Sequence, residues 1–138
     1  GIYYKPGSLK AKFCFAGRDS MTKFCLENKV KINPCGKLIV AHSEEEFGRL
    51  NTLNERGIAN GIEVIELDAK QSKEVEPNVE CLKALWVKST AICDFKGVAK
   101  AHFEHLQAKQ VDVRLNSPLF HVEENQSIGS LKLQSQKN

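Results

Sequence analysis

Segments with a helical apolar repeat alternate along this chain with short β-branched runs, and the changes of period fall at capping or turn residues. A stripe of period 3.6 buries one side of a helix, whereas an alternating or continuous β-branched run buries a strand. The alternation therefore restricts the chain to layered helices and strands. Ser8 is placed to cap a helix over residues 9–28, on which Leu9, Phe13, Ala16, Gly17, Met21, Phe24 and Cys25 recur every three or four positions. After the Asn33-Pro34-Cys35-Gly36 turn, residues 37–41 form an almost continuously apolar run, expected to be the central strand, covered on both faces.

Ser43 and Glu46 fit a capping box, followed by the stripe Phe47, Leu50 and Leu53 to about residue 59, where Asn60-Gly61 supplies a left-handed stop. Ile62, Val64 and Leu67 predict a short strand, and Asp68 with Gln71 caps a brief helix that ends at Glu76-Pro77-Asn78. Residues 82–87 read as another strand. Asp94 can cap a third long helix carrying Phe95, Val98, Ala99, Phe103 and Leu106. Val111, Val113 and Leu115 alternate as a strand, and residues 119–122 with 128–133 read as a hairpin. The expected class is α+β: a mixed or antiparallel sheet with three longer helices.

The 20 basic residues exceed the 17 acidic ones by three and are interspersed with them, which argues against a nucleic-acid groove. No apolar run approaches the ~20 residues of a membrane span. Cys14, Cys25, Cys35, Cys81 and Cys93 are odd in number and contain no C-x-x-C pair, so buried free thiols in a reducing compartment are expected. The Asn125-Gln126-Ser127 sequon reads as a polar turn. Both ends read as the interior of a larger fold: Gly1-Ile2-Tyr3-Tyr4 has no polar fraying tail, and Ile128, Leu131 and Leu133 alternate with no further strand to complete a sheet.

The nine glycines form no G-x-G and no P-loop, so a dinucleotide's phosphates would have to be held outside these residues. His102 and His105 share a helix face but lack a third ligand at sensible spacing, and no metal is expected; His42 and His121 read as bystanders. The N-terminal segment is different. Tyr3, Tyr4, Lys5, Ser8 and Lys10 collect hydroxyls and ammonium groups around a helix start, a surface suited to a small anion.

The segment from Gly1 to Lys12, Gly-Ile-Tyr-Tyr-Lys-Pro-Gly-Ser-Leu-Lys-Ala-Lys, resembles the hallmark of L-2-hydroxyglutarate oxidases and dehydrogenases, in the FAD-dependent D-amino-acid-oxidase-like superfamily. The resemblance continues in register through Cys35-Gly36-Lys37-Leu38-Ile39-Val40-Ala41, Asn60-Gly61-Ile62, Glu76-Pro77-Asn78 and Ser89-Thr90-Ala91-Ile92-Cys93-Asp94-Phe95, to about Gln107. It implies that residues 1–138 are one internal fragment, the substrate-domain part of a glutathione-reductase-type FAD oxidoreductase plus the start of the return to the FAD domain. The flavin-binding G-x-G-x-x-G and a catalytic His are expected upstream of Gly1, and a second flavin-binding portion downstream.

The implied activity is oxidation of a 2-hydroxy acid, L-2-hydroxyglutarate first, with glycerol-3-phosphate or an amino acid as rival substrates and a non-catalytic anion-binding module as the rival class. The resemblance makes Tyr3, Tyr4, Lys5, Lys10 and Thr90 the candidate substrate contacts, and Gly1 and Ile2 candidate flavin contacts. Ala91 and Phe95 replace the family's usual Gly and Tyr, which bears on substrate identity. Implied partners are a small anionic substrate, the FAD-binding parts of the parent chain and an electron-transport acceptor. The isolated fragment is expected to be colourless, inactive and prone to self-association, and the parent to be cytoplasmic, at most peripheral to the inner membrane.

Overall fold

A computed structural model describes residues 1–118, 122–124 and 131–133. Residues Gly1–Ala99 form one compact unit, and a second begins at Lys100. The first unit opens with a turn closed by the Tyr4 N–H on the Gly1 carbonyl, followed by helix α1 (Leu9–Glu27). Ser8 caps α1 as its sequence position predicts, its hydroxyl oxygen accepting from the Ala11 N–H at 3.2 Å. Next come strands β1 (Ile32–Asn33) and β2 (Lys37–Ala41), helix α2 (Phe47–Ala59) and strand β3 (Ile65–Asp68). Helix α3 (Ala69–Val75), strands β4 (Lys83–Val87) and β5 (Ile92–Cys93) and helix α4 (Phe95–Ala108) follow. The class is α+β, with α1, α2 and α4 as the longer helices.

The main sheet is antiparallel, in the order β2-β4-β3. The expectation that residues 37–41 are the central strand is therefore corrected: β4 is central and β2 lies at an edge. An apolar run reports burial by side chains, which α2 can supply to an edge strand; it does not report a second hydrogen-bonded neighbour. β1 and β5, too short to leave a periodic signal, pair antiparallel as Ile32 with Cys93 and Asn33 with Ile92.

One face of the main sheet carries Ile39 and Ala41 of β2 and Leu85 and Val87 of β4. With Ile2, Leu50 and Ile62 these form the core, flanked by Phe47, Leu53 and Val64. Strand period two places Lys37 on this same face, ahead of Ile39. At the other end of the face Lys83 Nζ meets Glu66 Oε2 at 2.6 Å, and Asn54 Nδ2 donates to Glu66 Oε1 at 2.7 Å. The Lys83 ammonium, with help from Asn54, holds the Glu66 carboxyl below its ordinary value of 4.5. A depressed carboxylate pKa stabilises the fold above the unfolded value, and that stability is lost as pH falls through the folded one. Glu66→Gln is thus expected to lower stability at neutral pH by less than about 1 kcal/mol, since the pair is partly solvated. The difference from the parent sequence should shrink as pH falls through the folded pKa, which lies below 4.5; a gap in urea midpoints that stays constant down to full protonation of the carboxyl would refute the assignment.

Three helices end in the same way. The N–H of Val30, Ile62 and Val111 returns to the carbonyl of Cys25, Gly57 and Leu106, across Lys29, Gly61 and Gln110 in the left-handed region. At α2 this is the Asn60-Gly61 stop read from sequence. At α4 it commits Val111 to the helix end, and residues 111–115 form no strand, contrary to expectation; Asp112 and Arg114 pair locally instead. Asp68 and Gln71 form the expected reciprocal capping box at α3, and Asp94 Oδ1 accepts from the Lys96 N–H. The Ser43 box is half formed: residues Glu44–Glu46 make a 3-10 turn before α2, the Ser43 side chain makes no cap bond, and Glu46 Oε2 reaches back to the His42 N–H. That bond, ahead of other causes, holds the Glu46 carboxyl below its ordinary range.

In the second unit β6 (Val122–Glu124) pairs antiparallel with β7 (Leu131–Leu133); it shares Val122 and residues 131–133 with the expected hairpin, whose residues 119–121 and 128–130 lie outside the described residues. His121 and the sequon at Asn125 lie outside the described residues.

Candidate functional site

The first unit carries a half-open cavity of about 410 Å³ between the N-terminal turn, α1, the start of β2 and the loop joining β4 to β5. Its position follows from local structure. Asn60, at the end of α2, donates from Nδ2 to the carbonyls of Tyr4 at 3.0 Å and Gly1 at 3.4 Å, tying the turn to that helix. Ile2 is driven into the core, 3% exposed, against the Cα side of Gly57. Pinning Ile2 leaves the rings of Tyr3 and Tyr4 half exposed along the cavity.

On the opposite side α1 presents Cys14, Arg18, Met21 and Thr22 to the cavity, with buried Ala11 and Cys25 completing the stripe at three- and four-residue spacing. The apolar positions expected to face inward include Leu9 and Phe13, which are 67% and 70% exposed. The buried face of α1 is built from small and polarisable residues, which a count of large hydrophobics passes over. Under this face the Cys25 thiol is pushed up by burial and by the neighbouring Cys93 thiol. All five cysteines are free, as expected, but only Cys25 is buried, with Cys81 and Cys93 half-buried and Cys14 and Cys35 exposed, which corrects the expectation of buried thiols.

The third wall is set by a tight turn. Gly36, at φ 74°, donates its N–H to the Thr90 carbonyl at 2.9 Å, joining the start of β2 to the loop after β4. Lys37 and Ile39 reach the cavity from β2, and Ser89, Thr90 and Ala91 from the loop.

Of the residues singled out from sequence, Gly1, Ile2, Tyr3, Tyr4 and Thr90 line this cavity. Lys5 and Lys10 do not; both are exposed. Lys10 stands one turn ahead of Cys14, on the same side of α1 but outside the cavity lining. The cations that do line the cavity are Arg18 and Lys37, and no Asp or Glu is among its lining residues. Arg18 is engaged already, its Nε 2.8 Å from Asp19 Oδ1 and its guanidinium 4.8 Å from the centre of the Phe15 ring. Lys37 Nζ lies 4.6 Å from the centre of the Tyr3 ring and meets no carboxylate among the described residues. Sequence reasoning passed over Lys37 because it reads as the first residue of a strand; the signal was its place directly after a turn glycine.

A mostly apolar wall with two cations, two phenol rings and no acid suits a small anion beside a flat ring system. It does not suit a pyrophosphate, which needs the clustered backbone N–H groups of a glycine-rich loop. Among the described residues no His, Cys, Asp and Glu side chains gather as a metal site, and no helix is long and apolar enough to cross a membrane.

The sequence profile of the FAD dependent oxidoreductase family, DAO, matches residues 1–136. L-2-hydroxyglutarate dehydrogenase of Salmonella houtenae is 44% identical over 109 residues, covering 79% of this chain and 26% of the relative. The Escherichia coli K12 protein of that name is 37% identical over 127 residues, covering 92% of the chain and 30% of the relative. The mitochondrial one of Dictyostelium discoideum is 46% identical over 104 residues, covering 73% and 23%. The chain thus spans less than a third of the length of these relatives. Among solved structures, glycine oxidase of Geobacillus kaustophilus superposes with a TM-score of 0.81 at 16% identity, over 95% of this chain and 38% of that one. L-proline dehydrogenase of P. horikoshii gives 0.70 at 14%, over 79% and 30%. At such identities these two speak for the fold alone.

Proposed function

The chain belongs to the FAD dependent oxidoreductase family, and from that membership we propose that residues 1–138 are the substrate-side part of an enzyme that oxidises L-2-hydroxyglutarate to 2-oxoglutarate. The supporting observation is the run of relatives carrying that one name at 37–46% identity over 73–92% of this chain. The residues present fit the ring side of a flavin and not its phosphates. In the proposed enzyme, the glycine-rich phosphate site and the His that takes the hydroxyl proton belong to other parts of the parent protein.

When bound, FAD supplies the two-electron acceptor that oxidation of a secondary alcohol to a ketone requires. The contribution of this chain is binding and orientation. Apolar residues Ile32, Ile39, Ile62 and Val87 exclude water from one side of the cavity, which strengthens any charge pair formed there. The phenols of Tyr3 and Tyr4 and the hydroxyl of Thr90 are the proposed hydrogen-bonding groups, and holding the C2 carbon in one orientation is what they would add to the rate. An electron-transport carrier is the proposed partner for reoxidation, with the enzyme at most peripheral to a membrane.

The test is anaerobic reduction of the parent protein's bound flavin, followed by its visible absorbance. L-2-hydroxyglutarate is expected to bleach it, with the D enantiomer, glycerol-3-phosphate, glycine and proline far slower. A protein with no bound flavin, or one bleached by an amino acid or glycerol-3-phosphate and not by a 2-hydroxy acid, would overturn the reading.

A further inference from the structure

We propose that Lys37 is the residue of this cavity that pairs with a carboxylate of the substrate, a role that deepens the reading above and rests on it. Four observations converge on it. The lining residues include two cations and no acid, so the cavity favours an anion whatever its shape. Of the two cations Arg18 is held by Asp19 and stacked on Phe15, whereas Lys37 has no carboxylate within ion-pair distance among the described residues. The Tyr3 ring lies under the Lys37 ammonium at 4.6 Å, restricting a side chain that would otherwise lose much rotamer freedom on binding, without neutralising its charge. Lastly, the backbone that aims Lys37 is fixed on both sides: Gly36 is bonded to Thr90, and Lys37 itself is in register with Val87 on the central strand.

Lys37 is itself exposed at the mouth of the cavity, and an ammonium seated on a π face keeps donors for a carboxylate that enters there. Lys88 provides an internal control. Its Nζ lies 4.8 Å from the centre of the Trp86 ring, the same kind of pair, yet Lys88 does not line the cavity.

The experiment uses the flavin-loaded parent protein and glutarate, a dicarboxylate with no hydroxyl to oxidise, titrated calorimetrically. Lys37→Met is expected to weaken glutarate binding roughly tenfold or more, as loss of a hydrogen bond to a charged group does. Lys37→Arg should recover most of the affinity, and Lys88→Met should leave it at the wild-type value. In turnover, Lys37→Met should raise KM by a larger factor than it lowers kcat. Unchanged glutarate affinity in Lys37→Met, or an equal loss in Lys88→Met, overturns the proposal, as does a wild-type protein that does not bind glutarate. The two readings fail separately. A protein that binds glutarate through Lys37 but does not oxidise L-2-hydroxyglutarate refutes the reaction and keeps the carboxylate site; one that oxidises it with equal KM in Lys37→Met does the reverse.

Discussion

Leu85→Ala is expected to destabilise the fold by about 3 kcal/mol, within the range of roughly 2–5 found for buried leucines truncated to alanine. Leu85 is 1% exposed, on the central strand, in register with Ile39 on one side and Glu66 on the other. Its side chain is packed with Leu50, Ile62 and Val87 and reaches no solvent. Two hydrogen-bonded neighbours hold the β4 backbone, so the sheet cannot easily collapse into the vacated space, and the cavity term adds to the lost transfer energy. The measurement is the urea midpoint at unchanged slope. A loss below about 1 kcal/mol would mean that α2 moves in to refill the site, and that the core is looser than interiors usually are.

The position of Leu85 is also where sequence reasoning did well and then went too far. Residues 82–87 were legible as a strand because the apolar Leu82, Leu85, Trp86 and Val87 sit in a short run between turn signals. The choice of central strand was not legible, because residues 37–41 carry the stronger apolar run although β2 pairs with one neighbour among the described residues. Strand order depends on where the connections return, and hydropathy does not encode that. Caps behaved differently. Ser8, Asp68, Asp94 and Asn60-Gly61 each act within three or four residues of themselves, so local sequence decides them, and each terminates or starts a helix where expected.

The site was legible in part, for a related reason. The N-terminal aromatics and Thr90 stood out as residue types and do line the cavity, but their convergence depends on Asn60, a residue whose local role as a helix stop masks its long-range bonds to the carbonyls of Gly1 and Tyr4. Lys5 and Lys10 drew attention because they are close to Tyr3 and Tyr4 in sequence. Arg18 and Lys37 are further along the chain but nearer in space to the cavity, one by the pitch of α1 and the other by the register of β2. Contacts made across elements leave no periodic trace.

Gly36→Ala is expected to be the more consequential substitution for function, because it acts on stability and on the cavity together. Two penalties combine at this position. Gly36 sits at φ 74°, a region that costs an L-residue roughly 1–2 kcal/mol. A Cβ there would also lie 2.6 Å from Nε1 of the Trp86 indole, a half-buried side chain of the central strand. Forcing an atom into such a contact adds about 1–3 kcal/mol, and relaxation keeps the sum near 2–4 kcal/mol rather than the full total. Gly61 separates the two penalties, since it has φ 70° with nothing within 4 Å of where a Cβ would stand, so Gly61→Ala should lose only the conformational part, roughly 1–2 kcal/mol. Relief of the clash requires the turn to move away from Trp86, and the turn carries both the N–H bond to Thr90 and the start of β2. Lys37 and Thr90 would shift together, so glutarate affinity should fall in Gly36→Ala and hold in Gly61→Ala. Equal destabilisation by the two alanines would show that the indole yields, and unchanged affinity in Gly36→Ala would show that the turn does not aim Lys37.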